Sequence, residues 1–110
     1  IIRTLFTVKE PFSANRVAIS GATAALDDEE FIKETYELNR VGMAYFKEEF
    51  TKMGFDVVDS QSNFLYVDMK TDIPKLFEDL KKRGFVIRPS ATHARVSIGT
   101  MEENRKFVAV

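Results

Sequence analysis

The sequence predicts an α+β fold: a small, mostly antiparallel sheet with helices on one face, preceded by a long connecting helix. Three observations carry this expectation. Apolar residues recur at a period near 3.6 from Phe31 to Met53 and switch to alternation after Gly54. Short runs rich in aromatic and β-branched residues follow at 55–58, 63–69, 85–88 and 94–98, with an amphipathic stretch between the second and third. Capping and stop residues fall at the junctions.

Residues 1–9 place Ile2, Leu5 and Phe6 on one helical face, and Pro11 discourages continuation. Residues 14–26 are small and apolar, a helix suited to close packing against a neighbour. Asp27 with Glu30 resembles a capping box, and early acids suit the positive end of a helix dipole. The helix they open carries Phe31, Tyr36 or Thr35, Leu38, Val41 or Gly42, Tyr45, Phe46, Phe50 and Met53 on its apolar stripe, and Gly54 stops it. The strands at 55–58 and 63–69 flank the turn Asp59-Ser60-Gln61-Ser62. Asp72 or Thr71 caps a helix with Pro74 near its start, Ile73, Leu76, Phe77 and Leu80 on one face, and Gly84 at its end. Strands at 85–88 and 94–98 follow, and Thr100 with Glu103 forms a capping box for a last helix over 101–110.

Composition narrows the function. The 110 residues suit one compact domain, and 45% hydrophobic with 30% charged residues is ordinary for a globular chain. A formal net charge of −1 gives no basic excess for nucleic acid or an anionic membrane. The absence of cysteine excludes disulfides and thiolate metal sites. No apolar run reaches membrane-spanning length and no secretory signal opens the chain, so a cytoplasmic protein is expected. The start at Ile1 and the apolar end Phe107-Val108-Ala109-Val110 lead to the expectation that both ends are cut from a longer chain.

Arg88 and Arg95 are the residues with the clearest chemical potential. Arg95 alternates with Ala94 and Val96 and so points away from the face those residues bury. If the two strands are antiparallel neighbours, both guanidinium groups converge, an arrangement suited to a phosphate or carboxylate. On the residues alone, a solvated charged sheet face is the simpler reading. His93 reads as a polar loop residue, Tyr45 and Tyr66 as core, and the acids match no metal-ligand spacing. There is no nucleophile elbow and no phosphate-cradling glycine loop.

The order of local motifs resembles the C-terminal part of histidinol-phosphate aminotransferases, pyridoxal-phosphate enzymes of the aspartate-aminotransferase-like fold type I. The matching pieces are Val8-Lys9-Glu10-Pro11-Phe12-Ser13-Ala14-Asn15, Ala24-Ala25-Leu26-Asp27-Asp28, Asp59-Ser60-Gln61-Ser62-Asn63-Phe64, Gly84-Phe85-Val86-Ile87-Arg88-Pro89, and Arg95-Val96-Ser97-Ile98-Gly99-Thr100-Met101-Glu102-Glu103-Asn104. The resemblance covers essentially the whole chain, and the last motif is the most specific. It implies that residues 1–35 are the terminal helices of a large domain with the start of the connecting helix, and that 36–110 are the small domain. It also implies that Arg95, with Arg88, grips the phosphate of the substrate. The Arg88–Arg95 connection is shorter than in many members of the family. Asn15 falls in a motif near the active site of the large domain, and Asn63 in a strand motif where a structural role is as expected as a catalytic one.

The same resemblance implies a full-length homodimer that moves an amino group between histidinol phosphate and 2-oxoglutarate through pyridoxal phosphate. The family's cofactor lysine sits in an upstream Ser-x-x-Lys segment that does not occur here, nor does the aspartate that pairs with the pyridine nitrogen. The 110 residues alone are therefore expected to bind no cofactor and to be inactive. The alternatives are the small domain of an aromatic amino-acid aminotransferase or a related decarboxylase, or a free-standing α+β ligand-binding module.

Overall fold

Helices α1 (Ile2–Val8), α2 (Arg16–Leu26) and α3 (Glu29–Lys52) come first, followed by strands β1 (Asp56–Val58) and β2 (Phe64–Asp68). Helix α4 (Ile73–Lys82), strands β3 (Arg88–Pro89) and β4 (Ala94–Ser97), and helix α5 (Met101–Val108) complete the order. The structure, a computed structural model, describes residues 1–9 and 12–110, so the expected break at Pro11 lies outside the described residues. The chain separates into two compact units, Ile1–Lys33 and Glu34–Val110.

The first unit is helical, and every described residue in it is exposed. Asn15 caps α2: its Oδ1 accepts from the Ala18 N–H at 2.8 Å. The expected cap is displaced by one residue, to a position whose third following residue is Phe31 rather than an acid. Asp27 lies in the right-handed helical region (φ −89°, ψ −6°) and closes α2, its N–H donating to Ala24 O at 3.2 Å. It therefore cannot take the extended conformation of an N-cap, and Asp28 caps α3 instead, accepting from the Phe31 N–H at 3.0 Å.

In the second unit the sheet runs in the order β1-β2-β4-β3, with every neighbouring pair antiparallel. Alternation along β2 and β4 sends Leu65, Val67, Ala94 and Val96 into the core. They meet Phe46 and Phe50 of α3 and Ile73 and Leu80 of α4, while Phe107 and Val108 of α5 pack against the same cluster. Phe46 and Phe50 stack at 5.1 Å, and Phe107 presents its edge to Phe46 at 5.9 Å. All three helices thus cover one face, as the sequence predicts. Only the C-terminal half of the α3 stripe is buried; Phe31 is 60% and Tyr36 68% exposed.

The cap and stop residues of this unit behave as expected. The Asp72 carboxylate accepts from the Lys75 N–H at 2.9 Å, and Thr100 and Glu103 complete a reciprocal capping box at α5. Gly54 and Gly84 take φ values of +80° and +87° at the ends of α3 and α4. The strand expected over 85–88 is shifted and shortened to Arg88–Pro89. The Phe85 N–H donates to Leu80 O at 2.9 Å to close α4, so it is withdrawn from any ladder. Asn104, 2% exposed, accepts from Gly99 N–H at 3.0 Å and donates to Gly99 O at 3.1 Å, which fastens the end of β4 to α5.

Candidate functional site

The face of the sheet opposite the helices carries the other half of each strand alternation. It comprises Phe64, Tyr66 and Asp68 from β2, and Arg95 and Ser97 from β4. In the ladder Tyr66 faces Arg95, and Arg95 in turn faces Arg88 across the β3–β4 hairpin. Directly opposed residues share a face, with Cβ atoms roughly 4.5–5.5 Å apart. The two arginines that the sequence singles out are therefore brought together on one patch.

Arg95 is half-buried. Its guanidinium carbon lies 4.6 Å from the centroid of the Phe64 ring, a cation–π contact that leaves the guanidinium edge for hydrogen bonding. Its Nε is buried and has no hydrogen-bond partner. Among the described residues, no carboxylate pairs with Arg88 or Arg95. Like charges opposed across a ladder repel, and an unsatisfied buried donor is unfavourable. An anion between the two forks relieves the repulsion.

Asn15 stands in the first unit, where its carboxamide oxygen serves the α2 cap. Asn63 contributes its backbone: its carbonyl accepts from the Ile98 N–H at 2.9 Å, extending the β2–β4 ladder. Tyr45 packs against the core as expected, but Tyr66 does not belong there. Its ring lies on the open face, stacked on His93 at 4.7 Å and 6°, and its hydroxyl meets Ser90 Oγ at 2.5 Å. The alternation Leu65-Tyr66-Val67 carries the signal for this placement, since neighbours in a strand point to opposite faces. His93 is likewise more than a bare loop residue, with Nδ1 2.7 Å from Thr92 Oγ1.

Three of the cavities of the second unit bear on pyridoxal phosphate. One of about 380 Å³ is lined by Phe50, Met53, Phe55, Met69, Leu80 and Phe107 among others, with no cation. Another, of about 440 Å³, lies beside Gly99, Glu103 and Asn104, again without lysine or arginine. A polar one of about 200 Å³ holds Arg40 and Lys47. Both cations are engaged, Arg40 with Glu37 and Lys47 with Asp59, and each pairing holds its carboxyl below the usual carboxylate range, chiefly through the hydrogen bond from the cation. These cavities do not fit a phosphorylated pyridine that needs a Schiff-base lysine. Among the described residues there is no cluster suited to a metal ion, and no helix is long and apolar enough to cross a membrane.

Known proteins give this geometry a context. The chain is 37% identical to the histidinol-phosphate aminotransferase of Symbiobacterium thermophilum, over 98% of its own length and 31% of that relative. It is 41% identical to that of Nitratidesulfovibrio vulgaris strain DP4, over 96% of its length and 30% of the relative. It thus spans under a third of these curated relatives. Among solved structures, the histidinol-phosphate aminotransferase of Sinorhizobium meliloti in complex with pyridoxal-5'-phosphate superposes with a TM-score of 0.74 at 20% identity, covering 98% of this chain and 32% of that one, a likeness of fold. The family model described as aminotransferase class I and II matches residues 1–110, and the chain belongs to that family.

Proposed function

We propose that this chain is the C-terminal part of a pyridoxal-phosphate-dependent histidinol-phosphate aminotransferase, in which Arg95 and Arg88 bind the phosphate of the substrate. The observation that carries the reading is the facing pair Arg88–Arg95, with neither arginine paired to a carboxylate among the described residues. The names of the relatives supply the substrate class. In this reading residues 1–35 end the large domain and begin the connecting helix, and 36–110 form the small domain. Asn15 lies near the active site of the large domain. The full-length protein transfers an amino group between histidinol phosphate and 2-oxoglutarate as a cytoplasmic homodimer with small-molecule partners. The cofactor lysine and the pyridine-pairing aspartate belong to sequence outside these 110 residues, so the chain alone is inactive.

The role of Arg95 is binding and orientation. It sits on a strand whose neighbours Ala94 and Val96 are buried, so its backbone is held rigidly. A charge-assisted contact contributes about 1.5–3 kcal/mol, and the planar fork adds direction that an ammonium lacks. In the full-length protein, Arg95→Lys should lower kcat/KM for histidinol phosphate by roughly tenfold or more, with the absorbance of bound cofactor unchanged. Arg88→Lys should show a smaller loss of the same kind. An intact efficiency in Arg95→Lys, or loss of the cofactor, would overturn the assignment.

A further inference from the structure

The β3–β4 hairpin presents a mechanical problem. Arg88 lies on a strand of two residues at the edge of the sheet, and the other residue of that strand, Pro89, has no N–H to donate. On one side Ile87 anchors it in the core at 4% exposure. On the other side it runs directly into the turn at Ser90. What fixes that turn also fixes how Arg88 stands against Arg95.

Ser90 is the hub of the turn. Its N–H donates to His93 O at 2.8 Å, its hydroxyl donates to the same carbonyl at 2.9 Å, and its Oγ accepts from the His93 N–H at 3.2 Å. The Tyr66 hydroxyl meets Ser90 Oγ at 2.5 Å. Tyr66 belongs to β2, and β4 lies between β2 and β3. This bond consequently ties the turn across a whole strand, and the stack of His93 on the Tyr66 ring covers it.

We propose that Tyr66 and Ser90 are positioning residues for the anion site: their hydroxyl pair latches the β3–β4 turn and holds the Arg88 fork in register with Arg95. The inference rests on the phosphate-binding reading of the two arginines. The latch acts through Arg88 and does not itself touch the anion. Its loss leaves Arg95 in place and lets the edge strand move, so the consequence falls on anion affinity.

The test uses the full-length protein, with KM for histidinol phosphate and competitive inhibition by inorganic phosphate as readouts. Tyr66→Phe keeps the ring and its stack on His93, so the fold is retained while the hydroxyl is lost. Tyr66→Phe and Ser90→Ala should each raise KM and the phosphate inhibition constant by about three- to tenfold, the range of one net hydrogen bond, with a smaller effect on kcat. Ser90→Thr, which keeps a hydroxyl, should restore most of the affinity. Tyr66→Phe should fall nearly silent in an Arg88→Lys background and keep its effect in Arg95→Lys, a coupling that general destabilisation would not produce. If the arginine variants weaken phosphate binding while Tyr66→Phe and Ser90→Ala do not, the latch is refuted and the anion site stands. An effect of Tyr66→Phe that is equal in both arginine backgrounds also refutes the latch. If the arginine variants themselves leave affinity unchanged, the anion site fails and the latch with it.

Discussion

Gly42 of α3 is the position where a single methyl group tests the packing most directly. Gly42→Ala removes a poor helix former, which by itself stabilises a helix by about 1 kcal/mol. Here a Cβ would lie 2.5 Å from Ile98 Cγ2 and 2.8 Å from Asn104 Nδ2, more than half an ångström inside ordinary contact. Neither neighbour is free to retreat. The Ile98 N–H is bonded to Asn63 O, and Asn104 is 2% exposed and doubly bonded to Gly99. Overpacking of this kind destabilises by about 1–3 kcal/mol. Displacing Asn104 from Gly99 leaves buried polar groups unpaired, at about 1–3 kcal/mol more. The helix gain is outweighed, and the variant should be less stable by about 2–4 kcal/mol. Urea unfolding followed by far-UV circular dichroism should show a lower midpoint with an unchanged slope, and the melting temperature should fall by roughly 10 °C or more. A midpoint at or above that of the unsubstituted chain would refute the packing of α3 against the β4–α5 junction.

Other regions yield expectations of different sign. Gly21→Ala in α2 meets nothing within 4 Å, so only the propensity gain of about 1 kcal/mol remains, and amide exchange across α2 should slow. In the unsubstituted chain, α2 buries no residue and should exchange faster than β2, whose Leu65 and Val67 are 0% exposed; equal protection in a monomer would contradict this. The Thr100 N–H and hydroxyl donate to the Glu103 carboxylate and hold its pKa below the usual 4.5. A depressed carboxyl pKa contributes stability that is present above 4.5 and lost as pH falls through the folded-state value. The melting-temperature gap between the unsubstituted chain and Glu103→Gln should therefore be full above 4.5 and narrow as the pH falls below it, and a gap that stays constant into acid would argue against the box.

Local signals made most of the second unit legible. The period change at Gly54, the Asp72 cap, the Thr100–Glu103 box and the two positive-φ glycines each act within a few residues, and each appears where the sequence places it. What failed depended on competition or on distance. Asp27 and Asp28 are chemically alike, and only the length of α2 decides which is left to cap α3. Phe85-Val86-Ile87 has strand composition, yet closing α4 claims the Phe85 N–H and leaves Val86 78% exposed. The apolar period of α3 is real along its length, but period alone does not reveal that burial begins only near Gly42. The arginine pair was visible as two residues and a short connection. That the hairpin sets them in direct register, with Tyr66 on the same face, follows from the order β2-β4-β3, which strand composition does not encode.

The segment from Arg95 to Asn104 shows why one stretch of sequence carries both binding and mounting. Arg95 projects to the open face while Val96, beside it, is buried. Ile98 extends the ladder to Asn63, Gly99 is clasped by the Asn104 carboxamide, and Thr100 with Glu103 starts α5. Asn104 and Ile98 in turn press against the bare Cα of Gly42, so the end of β4 is seated on α3. The residues of this segment therefore fall into two groups with separable consequences. Substitutions at Asn104 or Gly42 act on the mounting and should appear first as lost stability. Arg95→Lys leaves every contact of the mounting in place and should appear as lost anion affinity with the melting temperature nearly unchanged, because the altered group lies on the open face, where a cation over Phe64 is retained and no carboxylate pair is broken.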